Sequence, residues 1–113
     1  MDIKNALTTL LKEAGDAPGA KQSLDTLMSN LQSAKSAGVD MLKESATALE
    51  EALVSLAKGE LSKDDFEYLV ESQKRTVEQQ LNTLQIQAQV QSKALLMDAM
   101  NIALSVVVKG IRV

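Results

Sequence analysis

The chain contains no cysteine, no histidine and no tryptophan, and each absence removes a class of function. Without cysteine there is no disulfide framework, no thiolate nucleophile and no cysteine-based zinc or iron–sulfur site. Without histidine the usual general base at neutral pH and the commonest transition-metal ligand are both missing. Twelve Lys and Arg stand against fifteen Asp and Glu, a formal charge of -3. That balance gives none of the counterion-release footprint of a nucleic-acid binder, so no nucleic-acid partner is expected. The start, Met1-Asp2-Ile3-Lys4, has no basic segment followed by a continuous apolar run. No secretory signal is expected and the default location is cytoplasmic, with signal-independent export also compatible.

Aromatic residues are nearly absent too: one Phe and one Tyr in 113 residues that are 45% hydrophobic. The interior must then be built from Leu, Ala, Val and Met, which suits thin, closely spaced helices. Glycine and proline are sparse and grouped. Gly15-Asp16-Ala17-Pro18-Gly19 interrupts the chain once and Gly59 interrupts it again, whereas Ser62 to Lys109 contains neither residue. A run of roughly 48 residues without a turn former is too long for strands, which average about 5 to 6 residues and need turns between them.

Apolar spacing points the same way. Phe66, Val70, Val77, Leu81, Leu84, Ala88, Leu95, Ala99, Ile102 and Val106 recur at helical intervals. Ser62 with Asp65 three residues on forms a helix start. Asp64, Asp65 and Glu67 place negative charge at the positive end of the helix dipole, and Lys109, Gly110 and Arg112 supply the opposite end. Leu24, Leu27, Met28, Leu31, Leu42, Ala46, Leu49, Leu53 and Leu56 give residues 21–58 an apolar face, with Gly38 inside that helix at a cost of about 1 kcal/mol. Ile86 to Gln91 alternates with the period of a strand, but no partner strand is available and helix is retained.

These observations predict an all-α chain forming a single helical domain over 1–113. Its elements are a short helix at about 3–14, a linker at 15–20, a helix at about 21–58, a loop at 59–61 and a helix at about 62–109. The two long helices are expected to form an antiparallel hairpin. The second outruns the first, so residues after about Met100 lack cover within the hairpin, although Ala94 to Val108 is apolar on every side. A helix apolar all round must be buried all round. The expected interface is Leu95, Leu96, Met97, Met100, Ile102, Leu104, Val107 and Val108. Helix 1 is a candidate cover for one side of it.

The charge pattern sharpens this reading. Between Gln79 and Val108 only Lys93 and Asp98 are charged, while six glutamines supply neutral polarity. Such a surface fits a plain solvated helix, and equally a helix packed among copies of itself. A membrane span is disfavoured. Seven Leu, Ile or Val side chains contribute about -0.3 to -0.6 kcal/mol each, against about +2.5 to +3.5 for Asp98 near the centre.

The acidic group Asp64, Asp65, Glu67 and Glu71 lacks the alternating ligands and glycine of a calcium loop, so helix capping accounts for it better than metal binding. No phosphate loop, nucleophile elbow or catalytic triad can be assembled. No catalytic residue, cofactor or metal site is therefore expected, and the chain reads as a non-enzyme. In outline, a hairpin with an apolar C-terminal helix resembles the subunits of bacterial secretion needles and rods, by shape and size alone. It also resembles the WXG-type secreted hairpins, but it departs from them at the missing Trp and at a loop reading Lys58-Gly59-Glu60-Leu61-Ser62.

The function that follows is a self-assembling or scaffold protein whose C-terminal helix mediates homo-oligomer or filament formation. The alternatives are a membrane-active or lipid-surface protein using residues 94–108, and an adaptor or chaperone for another helical protein.

Overall fold

The computed structural model describes residues 2–13 and 19–108, with side chains described as far as 105. Regular structure among them is entirely helical: α1 (Ile3–Glu13), α2 (Ala20–Lys35), α3 (Asp40–Ala57), α4 (Lys63–Gln80) and α5 (Gln87–Ile102), the last continuing as a π-helical segment, Ala103–Val108. The all-α expectation holds. The expected hairpin of two long helices does not, because each long helix is divided in two. Most of the expected linker, and Lys109, Gly110 and Arg112, lie outside the described residues.

The first division falls at Ser36–Val39. Continuous apolar spacing argues for a helix through this stretch, yet Gly38 adopts φ +77, a left-handed conformation that ends a helix. Ser36 caps α2 through its backbone N–H, and its hydroxyl donates to the Gln32 carbonyl at 3.0 Å. Below the turn, the Lys35 ammonium pairs with Glu50 and ties the end of α2 to the middle of α3. A Cβ built on Gly38 meets nothing within 4 Å, so the obstacle to any other residue is backbone strain alone. Gly38→Ala is expected to cost about 1 kcal/mol, read as a lower urea midpoint at unchanged m.

The turn between α3 and α4 follows the sequence reading closely. Gly59, at φ +78, donates to Leu56 at 3.1 Å, and Glu60 donates to Ser55 at 2.9 Å. Those two bonds are the Schellman pattern that satisfies the last carbonyls of a helix. Ser62 Oγ then accepts from the Asp65 N–H at 3.1 Å, the helix start expected from the sequence. At the other end of the chain, Asp2 Oδ1 caps α1 by accepting from the Asn5 N–H at 2.8 Å.

The second division, Leu81 to Ile86, contains neither Gly nor Pro. Asn82 and Thr83 are weak helix formers, and Ile86 carries the extended backbone from which α5 restarts. Energetics explain the break. An unbroken helix over 62–109 would be about 70 Å long at ~1.5 Å per residue, whereas the longest dimension of the molecule is 41 Å. Folding back buries Leu96 and Met100 completely and Leu81 almost so. Three such side chains contribute about 5 to 8 kcal/mol, against about 4 kcal/mol for the few helical hydrogen bonds given up to water.

The core is continuous through all five helices. Leu10, Leu27, Leu31, Leu42, Leu49, Leu53, Phe66, Val70 and Val77 are essentially inaccessible, and all belong to one packed cluster. The most extensive helix contact joins α2 to α5, while α1 packs mainly on α3. The cover for the apolar C-terminal helix is therefore chiefly α2. The sequence reading offered helix 1 for that role, because it assumed a straight second helix running past the end of its partner.

Candidate functional site

Asp64 and Asp65 lie in the first turn of α4, where the helix dipole favours carboxylates. Among the described residues no group of three or more acidic side chains could hold a metal ion. None of the described helices is long and apolar enough to cross a membrane.

Two clefts are small or shallow. One, of about 210 Å³, lies between α1 and α2 with Leu7, Leu11, Leu24 and Met28 below Lys4 and Lys21. That is less than the roughly 300 to 1,000 Å³ of ordinary ligand sites. The other lies between α3 and α4, lined by Ala48, Ala52, Leu61, Leu69 and Gln73. There the Gln73 Oε1 atom is buried without a hydrogen-bond partner. Replacing a side chain whose buried carbonyl oxygen is unpaired by an apolar one of similar shape removes a desolvation cost. Gln73→Met is expected to raise stability by about 1 kcal/mol, measured as a higher urea midpoint.

The outward side of α5 is a further candidate. The eight residues expected at an interface divide by direction. Leu96 and Met100 face inward and are 0% exposed in the chain's own core. Leu95, Met97, Ile102 and Leu104 are half-buried at the flanks of the helix. Val107 and Val108 belong to the π-helical segment, and their side chains lie outside the described ones. That segment begins where the Ser105 hydroxyl donates to the Asn101 carbonyl at 2.9 Å, a side-chain bond that competes with the helix ladder.

The outward face of α5 carries residues that the apolar count overlooked. Ile86 is 61% exposed and Val90 39% exposed, with Gln87, Gln91, Ala94, Asp98, Asn101 and Ser105 exposed beside them. The sequence signal for Ile86 and Val90 was the strand-like alternation of Ile86 to Gln91, which here marks one strongly exposed edge at the start of a helix. On α4, Tyr68 and Leu69 are also exposed. Leu69 borders the α3–α4 cleft, and Tyr68 points to solvent beside charged neighbours. No protein family, curated protein or solved structure matches this chain.

Proposed function

We propose that this chain is a non-enzymatic helical protein that assembles with copies of itself, as a homo-oligomer or filament subunit, through the outward face of its C-terminal helix. The observation that carries the reading is the pairing of exposed Ile86 and Val90 with a stretch, Gln79 to Val108, that holds only two charged residues. Val90 and Met97, seven residues apart, share one flank of α5, Val90 exposed and Met97 half-buried. Single exposed apolar residues are ordinary, but two neighbouring ones in a nearly uncharged surface have the composition of an interface.

Folding α5 onto α2 changes which residues meet a partner. Leu96 and Met100 are committed to the interior. Val90, Ala94, Met97 and Leu104 keep surface to offer.

Solution mass tests the reading. Light scattering at tens of micromolar is expected to give a mass above that of one chain, falling on dilution. A monodisperse monomer at that concentration would exclude self-assembly. Co-flotation of such a monomer with anionic liposomes would replace it with the lipid-surface reading.

A further inference from the structure

We infer that two copies of this chain exchange α5: the α4–α5 turn straightens, α4 and α5 run on as one helix, and α5 packs on α2 of the partner. This rests on the self-assembly reading and adds to it what is exchanged and where the hinge lies.

Of the turns joining α2 to α5, the hinge is the one that its own residues do not require. Gly38 and Gly59 hold the turns on either side of α3 at positive φ, a backbone that other residues adopt only with strain. Leu81 to Ile86 contains neither Gly nor Pro. Leu81 has φ -111 and ψ 14, and Ile86 has φ -77 and ψ 124. Both φ values are negative, so helical geometry is open to each. Among the described residues, the turn's own backbone bond runs from the Leu84 N–H to the Leu81 carbonyl at a long 3.4 Å, where a continuous helix would make one bond per residue. Val77, Leu81, Leu84 and Ala88 keep helical spacing across the turn, so a straightened helix holds its apolar side in line.

Exchange keeps what the monomer gains by folding back. α5 is held mainly by α2, with less contact to α3 and α4, and Leu96, Ala99 and Met100 are 0% exposed there. The α5 of a second copy makes those contacts with the same residues. The monomer gives up helical hydrogen bonds at the turn to obtain this burial, whereas the exchanged pair has both the burial and the bonds. Its cost is association, so concentration selects the form. Exchange also accounts for the exposed edge of α5. Ile86, 61% exposed, and Val90, 39% exposed, lie at the hinge, where the straightened helices of a reciprocal pair pass each other.

Because the chain has no cysteine, Arg75→Cys with Asn101→Cys, at two exposed positions, carries a pair of spin labels and no others. Diluted into excess unlabelled chain, the pair reports a distance within one chain. The exchanged dimer is expected to give about 40 Å, the span of about 26 residues of straight helix at ~1.5 Å each. The monomer is expected to give a shorter distance, because the segment that ends α5 packs against α4. Asn82→Ala with Thr83→Ala favours helix at both hinges and is expected to tighten the dimer at least tenfold. Gln85→Pro, which a continuous helix does not accommodate, is expected to weaken it at least 100-fold. Should Gln85→Pro fail to fold, the alanine pair decides. If the chain self-associates but the labelled distance stays that of the monomer, or the alanine pair leaves association unchanged, the exchange is wrong while self-assembly stands. If the native chain is monomeric at tens of micromolar, the self-assembly reading falls and the exchange falls with it.

Discussion

Leu96→Ala is expected to destabilise the fold by about 3 kcal/mol, within the range for truncating a fully buried leucine. Leu96 is 0% exposed, and it sits on α5, the helix most extensively packed against α2. A chain of this size has about 5 to 15 kcal/mol of stability in total, so the loss is large. The substitution also separates two architectures. In an unbroken helix over 62–109, Leu96 would project about 20 Å beyond Leu81 at ~1.5 Å per residue, and its truncation would cost the monomer little. Urea unfolding at fixed protein concentration measures the difference, with unchanged m showing that the compactness of the unfolded state is not altered.

Ala94→Asp is expected to leave the monomer folded and to weaken self-association at least about 100-fold. The side chain is exposed in the monomer, where a surface substitution changes stability by about 0.5 kcal/mol or less. At an interface on the outward face of α5 it would bury a charge, at a cost of about 3 kcal/mol, which is more than 100-fold in affinity. Circular dichroism should be unchanged while sedimentation shifts to monomer. Loss of helical signal along with association would instead show that Ala94 supports the fold.

How far the sequence could be read depends on which signals are local. The α3–α4 turn was legible because Gly59 and the Ser62 cap are short-range devices, recognisable from a few adjacent residues. Gly38 reads from the sequence as a residue inside a helix. Apolar spacing continues across it, and a glycine's sign of φ is decided by where the next helix must go.

The break after Gln80 was the harder case. Leu81 and Leu84 keep the helical rhythm because they still anchor the chain to the core, Leu81 buried and Leu84 half-buried, while the backbone turns around them. Only Asn82 and Thr83 hinted at it. The gain that drives the turn, burial of Leu96 and Met100 on α2, is tertiary and leaves no mark in periodicity. For the same reason the apolar character of Ala94 to Val108 was legible, but its division into an inward and an outward face was not.

Amide hydrogen exchange as a function of protein concentration tests the central claim most directly, because it reports both whether copies associate and where. Between about 1 and 100 µM, the account predicts slower exchange over residues 87–105 with unchanged exchange in α1, and loss of that dependence in Ala94→Asp. Exchange over 87–105 that is independent of concentration, or protection that appears on α1 and α2 instead, would contradict it.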